Sequence, residues 1–119
     1  MKLYRLDDYI SLLKKENLIE DIQLCGNNEL LSTEIKKIAH NSKEVEKDTL
    51  YICKGLNYKP SYLEEAISNG TIIYIAESQN VTHMDFPHIV VKDIRKALAT
   101  ISCMYYDFPA EKINMIGLT

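Results

Sequence analysis

Apolar residues near the start of the chain recur first at the spacing of a helix and then at that of a strand. The first helix is predicted from four residues at i, i+3, i+4 and i+7, namely Leu6, Tyr9, Ile10 and Leu13. A short extended piece over residues 22–24 leads to a turn at residues 26–28. Apolar residues then tend to alternate over residues 34–40, which predicts a strand.

A second strand and a second helix are predicted in the middle of the chain. Residues 49–53 are nearly all apolar, as expected of a strand buried on both faces of a sheet. The helix that follows has a marked start, because Ser61 and Glu64 have the spacing of a capping box just after Pro60.

The end of the second helix introduces two more strands. We expect the helix to stop at Gly70 in the left-handed conformation, and residues 71–76 to form a central strand. A polar, loop-like stretch over residues 77–87 separates this strand from another one over residues 88–91.

The last part of the chain predicts a third helix and a final strand. Asp93 has the character of an N-cap. The apolar side of the helix carries Ile94, Leu98, Ile101 and Tyr105. Phe-Pro at residues 108–109 is predicted to end the helix, and residues 113–118 to form a last apolar strand.

The alternation of strands and helices predicts an α/β fold. We expect one domain over residues 1–119, with a layered mixed or parallel sheet flanked by about three helices. The chain ends on an apolar strand with Gly-Leu-Thr, and a buried strand normally leads into a connection. This favours a piece of a longer protein over a protein that ends with an edge strand.

Charge and cysteine content exclude several classes of protein. The net charge of −3 disfavours non-specific binding to nucleic acids. The amino terminus lacks the apolar core of a signal peptide, and no apolar run is long enough to span a membrane. Three cysteines without a C-x-x-C pair argue against a disulfide framework, and neither cysteines nor histidines have metal-ligand spacing. We expect a cytoplasmic protein with reduced thiols and no metal site.

An ordered set of short motifs resembles one family. The motifs include Asn-Ser-Lys-Glu-Val at 41–45, Leu-Tyr-Ile-Cys-Lys-Gly at 50–55, Val-Lys-Asp-Ile-Arg-Lys-Ala-Leu at 91–98, Tyr-Tyr-Asp-Phe-Pro at 105–109 and Met-Ile-Gly-Leu-Thr at 115–119. In this order they resemble the amino-terminal domain of the Mur ligases, of the UDP-N-acetylmuramoyl-tripeptide synthetase (MurE) type. The resemblance extends over residues 35–119.

Three departures from the family pattern bear on the nucleotide contacts. Asn41-Ser42-Lys43 stands where the family has Asp-Ser-Arg, and Asp48-Thr49 stands where it has Gly-Asp. The common Asp-Gly-His after the second strand is absent. Its place is taken by a K-G-x-x-Y-K-x-x-Y-L sequence, which is similar to a variant found in Gram-positive members.

The resemblance implies a substrate-binding role within a larger enzyme. The domain would hold the UDP part of UDP-MurNAc-L-Ala-D-Glu for an ATP-dependent ligase that adds the third amino acid of the peptidoglycan stem peptide. The family's phosphate loop, G-T-N-G-K-T, would follow Thr119 and is not in this chain. ATP and Mg²⁺ would therefore bind to the central domain, while the carboxy-terminal domain selects the amino acid. We expect the isolated chain to be inactive and to have no catalytic residue.

The resemblance assigns substrate binding to residues of two loops, Ser42, His40, Lys43, Leu56, Asn57 and Tyr58. The Ser42 hydroxyl can donate to and accept from a uracil or a diphosphate. His40 would lie against the uracil, and Lys43 would offset the diphosphate charge. The alternatives are a serine that closes its own turn, an exposed histidine at a strand end and a solvated or ion-paired lysine.

The second loop has one apolar and two polar or aromatic candidates. Asn57 can recognise a uracil edge with its amide, Tyr58 can stack on a ring, and Leu56 completes the contact. The alternative is an ordinary loop that begins with a glycine.

Two other functions stay open. The chain could be a free-standing α/β binding or interaction module, or the corresponding domain of the ligase that adds D-Ala-D-Ala. The Tyr-Tyr-x-x-Pro and Gly-x-Thr motifs favour the tripeptide synthetase over that relative. A Gly-Thr-x-Gly-Lys-Thr sequence directly after Thr119 would favour a ligase over a free-standing module.

Overall fold

The computed structural model describes residues 4–54 and 59–106. It contains three helices, α1 (Leu6–Lys15), α2 (Pro60–Asn69) and α3 (Ile94–Tyr105). Its five strands are β1 (Ile19–Gln23), β2 (Lys37–Ala39), β3 (Thr49–Ile52), β4 (Thr71–Ala76) and β5 (His88–Val91). Short 3₁₀ turns occupy Asn28–Ser32, Ser42–Glu44 and Ser78–Asn80. The predicted strand at 113–118 and the predicted helix end at 108–109 lie outside the described residues.

The strands form one mixed sheet in the order β1-β5-β4-β3-β2. Strands β2 to β5 are mutually parallel, and β1 pairs antiparallel with β5 at the edge. The predicted mixed sheet with flanking helices is confirmed, and so is the central position of the strand over residues 71–76, which is β4.

Alternating side chains divide the core into two layers. On β3, Leu50 and Ile52 pack with α1 and α3, whereas Tyr51 and the next residue after the strand, Cys53, pack with α2 on the opposite face. Both faces of β3 are therefore buried, as its apolar sequence predicts. The domain is a three-layer arrangement of helices, sheet and helix.

Helix α1 forms as its apolar stripe predicts. Its four stripe residues are all buried in the layer between α1 and the sheet. The backbone N–H of Arg5 donates to the Asp8 carboxylate over 2.9 Å, which satisfies a group near the helix start. Lys14 and Lys15 lie in the last turn, where a positive charge is favourable for the helix dipole.

The start of α2 differs from the prediction, because Ser61 and Glu64 do not form a capping box. The helix begins at Pro60, and the N-cap is Lys59, which makes no side-chain cap hydrogen bond. Proline has a helical φ and no N–H, so it suits the first helical position, and the cap lies two residues before the predicted Ser61. The predicted end is confirmed: Gly70 is left-handed, with φ of 115°, and its N–H bonds the carbonyls of the last turn.

The predicted strand over residues 34–40 is too long. Only Lys37–Ala39 pairs with β3. Glu34 instead forms an isolated antiparallel bridge with Arg5, and the Ile35 N–H donates to the Tyr4 carbonyl oxygen over 2.9 Å. The first half of the predicted strand therefore pairs with the segment before α1. The extended piece predicted at 22–24 is too short, because the structure has strand β1 over Ile19–Gln23 there.

Helix α3 begins as predicted. The Asp93 carboxylate accepts hydrogen bonds from the N–H groups of Arg95 and Lys96. The buried residues of the helix are Ala97, Ile101 and Met104, and the other predicted stripe residues flank them at partial burial. In the described part of the chain, none of the helices combines the length and apolar character needed to cross a bilayer.

Candidate functional site

The carboxyl ends of the four parallel strands meet at one edge of the sheet. His40 follows β2, Lys54 follows the end of β3, Glu77 follows β4, and Lys92 follows β5. In open α/β sheets, ligands bind outside this edge. The residues that the sequence singles out in the first loop, 40–43, also lie here. This edge is therefore the candidate site.

The loop after β2 is closed by Asn41. Its side-chain oxygen accepts from the Lys43 N–H over 3.0 Å, and its carbonyl oxygen accepts from the Glu44 N–H over 2.9 Å. A 3₁₀ turn over Ser42–Glu44 follows. Asparagine forms such turns readily because its short side chain reaches the backbone two residues on. The residue type at position 41 is therefore a sequence signal for the geometry of this loop.

Ser42 is bound to α2 through both its side chain and its backbone. Its Oγ donates to Oε1 of Glu65 over 2.5 Å, and its carbonyl oxygen accepts from Nδ2 of Asn69 over 3.1 Å. The residue is only 5% exposed. The Ser42 hydroxyl therefore does not close its own turn. Its partners, Glu65 and Asn69, are not among the residues that the sequence predicts for the site.

His40 lies on the other side of the sheet from these contacts. It is exposed and lines a cavity of about 220 Å³ with Leu98, Ser102 and Tyr105 of α3. Ser42 instead contacts α2, so the structure does not bring these two side chains into one cluster. Lys43 is exposed on the 3₁₀ turn that also contains Ser42. Of the predicted site residues, Leu56, Asn57 and Tyr58 lie outside the described residues.

A second cavity of about 350 Å³ lies at the ends of β3, β4 and β5. Basic side chains on its wall are Lys54, Lys92 and Arg95, and acidic ones are Glu77 and Asp93. The three basic groups give this cavity some capacity to attract an anion.

The start of α3, at the wall of this second cavity, is already occupied by carboxylates. Glu77 accepts from the Ile94 N–H over 2.8 Å, and Asp93 accepts from the next two backbone N–H groups over 3.0 and 3.1 Å. Helix N-termini bind anions through such free N–H groups. Here the protein's own carboxylates occupy that position, so these N–H groups are not free to bind an anion.

The remaining histidines and cysteines belong mainly to the fold. His88 is buried, stacks on Tyr74 at a ring distance of 5.2 Å, and has its Nδ1 2.8 Å from the Phe86 carbonyl oxygen. Cys53 is buried in the α2 layer. The three cysteines form no disulfide. Within residues 4–54 and 59–106 there is no cluster of three or more metal-ligating side chains.

Comparison with known proteins finds relatives that are all named as ligases or synthetases of one type. The chain is 35% identical over 113 residues to the UDP-N-acetylmuramoyl-L-alanyl-D-glutamate–L-lysine ligase of Enterococcus faecalis, covering 90% of this chain and 22% of the relative. It is 31% identical to the ligase of the same name from Streptococcus pneumoniae, covering 98% and 24%. It is also 32% identical to a UDP-N-acetylmuramyl-tripeptide synthetase of Latilactobacillus sakei, covering 96% and 21%. No protein-family model matches the chain.

Solved structures give the same fold. MurF from Acinetobacter baumannii superposes with a TM-score of 0.62 at 17% identity, covering 94% of this chain and 22% of MurF. A second crystal structure of that protein gives the same score at 18% identity. At such low identity these structures establish the fold alone.

Fold and sequence similarity together identify the chain as a domain of the Mur ligase class. Within that class, the chain is similar to the amino-terminal domain of UDP-N-acetylmuramyl-tripeptide synthetases. The chain spans about a fifth of the length of the curated relatives that it matches, at 22% and 21% for two of them.

Proposed function

We propose that this domain binds UDP-MurNAc-L-Ala-D-Glu within an ATP-dependent ligase that adds the third amino acid of the stem peptide. The observation that carries the proposal is the 35% identity, over 90% of the chain, to a ligase whose name specifies this substrate. The whole enzyme would act in the cytoplasm, in peptidoglycan synthesis.

The geometry of the sheet edge supports this proposal. The loop after β2 carries His40, Ser42 and Lys43 to the edge where α/β sheets bind ligands. There the Lys43 ammonium can offset diphosphate charge, and His40 can reach the uracil from the α3 side of the sheet, apart from the Ser42 hydroxyl. Leu56, Asn57 and Tyr58 follow β3 in the sequence and supply the remaining contacts in this proposal.

A titration of the 119-residue chain tests the substrate assignment. We expect UDP-MurNAc-L-Ala-D-Glu and UDP to shift backbone amide resonances of residues 40–43 and of Asn57. ADP has the same diphosphate but another base and serves as the matched control; it should shift these resonances less. Absence of shifts with both uridine ligands at millimolar concentration would contradict the proposal and favour a free-standing interaction module.

ATP and Mg²⁺ belong to the full-length ligase in this proposal. Because the chain has no G-x-x-x-x-G-K-[ST] loop, we expect no ADP release when it is mixed with ATP, Mg²⁺, lysine and the UDP substrate. Turnover above the protein-free background would contradict this expectation. The central and carboxy-terminal domains of the same polypeptide would supply the ATP site and the choice of amino acid.

The ligase that adds D-Ala-D-Ala is the related alternative. The MurF structures share the fold at 17–18% identity, whereas the sequence relatives at 31–35% are tripeptide synthetases and lysine ligases. Comparing UDP-MurNAc-dipeptide with UDP-MurNAc-tripeptide in the assembled enzyme distinguishes the two. Only the dipeptide should support turnover.

A further inference from the structure

We infer that Glu65 is a positioning residue that fixes Ser42 as a hydrogen-bond acceptor toward the nucleoside part of the substrate. The inference rests on the proposed function, because it concerns how the same loop would meet a uridine nucleotide. It assigns a role to a residue of α2, a helix in which the sequence predicts no binding residue.

Two residues of α2 bind the same residue of the loop. Glu65 and Asn69 are four positions apart, so they project from one face of the helix, one turn from each other. Glu65 accepts a hydrogen bond from the Ser42 hydroxyl at 2.5 Å, and the Asn69 amide donates one to the Ser42 carbonyl oxygen at 3.1 Å. Together they fix the rotamer and the backbone of Ser42.

Helix α2 is itself held firmly against the sheet. Leu63 and Ala66 are fully buried in the layer that contains Tyr51 and Tyr74. Glu65 lies between these two anchors in sequence and extends from the helix toward the loop. The core therefore fixes the backbone position from which Glu65 reaches Ser42.

The hydrogen-bonding capacity of a hydroxyl then restricts what Ser42 can bind. A serine hydroxyl has one donor and two acceptor lone pairs. Since its single donor is directed at Glu65, it can only accept from a ligand. Diphosphate oxygens have no hydrogen to donate, and the nearby Glu65 carboxylate also repels them. Ser42 is thus suited to an N–H or O–H of the nucleoside, either the uracil imide or a ribose hydroxyl.

Isothermal titration of the 119-residue chain with UDP tests this role. We expect Glu65→Ala to weaken UDP binding about tenfold, as for the loss of a hydrogen bond that involves a charged group. Glu65→Gln retains an acceptor oxygen and should bind within about threefold of wild type. Glu64→Ala is the matched control, because Glu64 is the adjacent, exposed carboxylate of the same helix. It should leave UDP binding unchanged.

A double-mutant cycle separates positioning from general loosening of the fold. In a Ser42→Ala background the additional effect of Glu65→Ala should vanish, since no hydroxyl remains to be oriented. UDP methylated at uracil N3 and 2′-deoxy-UDP identify the donor. The analogue that lacks the group donating to Ser42 should bind the wild-type chain more weakly than UDP does. It should bind the Ser42→Ala variant no more weakly than UDP does.

The outcomes that would overturn the inference are distinct. If wild type binds UDP and Glu65→Ala binds it equally well, Glu65 has no positioning role, although the proposed function stands. The same conclusion follows if Glu65→Ala weakens binding equally with and without Ser42. If wild type binds neither UDP nor UDP-MurNAc-L-Ala-D-Glu, both the proposed function and this inference fail; if it binds only the latter, the same variants are compared with that ligand. Should Glu65→Ala not fold, the near-isosteric Glu65→Gln variant decides the matter, because a loss of binding well beyond threefold would contradict the inference.

Discussion

Gly70 packs directly against the main chain of Glu46. A β-carbon built on Gly70 would lie 3.1 Å from both the carbonyl carbon and the carbonyl oxygen of Glu46, and 3.0 Å from the Lys47 nitrogen. The same glycine has a φ of 115°, a conformation that L-residues with a side chain rarely adopt. Sterics and backbone conformation therefore both require glycine where α2 turns into β4.

We expect Gly70→Ala to lower the free energy of unfolding by about 2–3 kcal/mol, which combines left-handed strain with overpacking. Gly26→Ala is the matched control, because Gly26 also has a positive φ, of 83°, but nothing lies within 4 Å of its added β-carbon. Its cost should be about 1 kcal/mol. Urea denaturation measures both values, and equal losses for the two variants would contradict the contact argument.

Asp93 is expected to stabilise α3 through its cap. Asp93→Ala removes the acceptor for the N–H groups of Arg95 and Lys96 and should cost about 1 kcal/mol of unfolding free energy. Lys59→Ala changes the corresponding position of α2, where no side-chain cap bond exists, and should cost less than about 0.5 kcal/mol. Urea denaturation of both variants gives the comparison. A smaller loss for Asp93→Ala than for Lys59→Ala would contradict this prediction.

Ser61→Ala tests where α2 begins. Because Ser61 lies inside the helix rather than at its cap, the substitution should change the free energy of unfolding by less than about 0.5 kcal/mol. A capping serine would instead cost about 1 kcal/mol on the same change. The urea midpoint of this variant distinguishes a helical serine from a capping one. A loss of about 1 kcal/mol would indicate that Ser61 caps the helix and would contradict this prediction.

The stability of the domain should fall at alkaline pH. Burial raises the pKa of the Tyr74 hydroxyl from 10.0 to about 12, and burial also raises the pKa of Tyr9 and Tyr51. Between pH 10 and 12 the unfolded chain releases protons that the folded chain retains, so the unfolding free energy decreases as pH rises. Below pH 10 this contribution is fully present.

Tyr74→Phe should reduce that alkaline loss, since it removes one of the three groups, even if it lowers stability at neutral pH by breaking the bond to the His83 carbonyl. Tyr62→Phe changes a more exposed tyrosine and should leave the pH dependence unchanged. Denaturant midpoints between pH 8 and 11.5 provide the measurement. An identical pH dependence for Tyr74→Phe and wild type would refute the assignment.

The sequence predicts best those features that depend on neighbouring residues. The stripe of α1, the Asp93 cap and the Gly70 helix stop all follow from local spacing or turn chemistry, and each is present. The predicted start of α2 is wrong because Pro60 takes the first helical position, which places the N-cap at Lys59 and Ser61 inside the helix.

Features that depend on distant pairing do not follow from the sequence pattern. The bridge between Arg5 and Glu34 shortens β2, and no periodicity over residues 34–40 reveals it. The contact between Ser42 and Glu65 joins residues 23 positions apart, so its geometry depends on how α2 packs on the sheet. The sequence therefore locates the loop of the candidate site but not the direction in which its side chains point.

The two helices on one face of the sheet set the minimum length of an independent folding unit. Helix α1 comes from the beginning of the described chain and α3 from its end, yet they pack on each other over Leu50, Ile52, Ile73 and Ile75. A fragment that stopped after β5 would retain all strands of the described residues but leave this half of the sheet open to water. Cooperative folding therefore requires synthesis through α3, so on the ribosome this sheet could be covered only after residue 105 emerges.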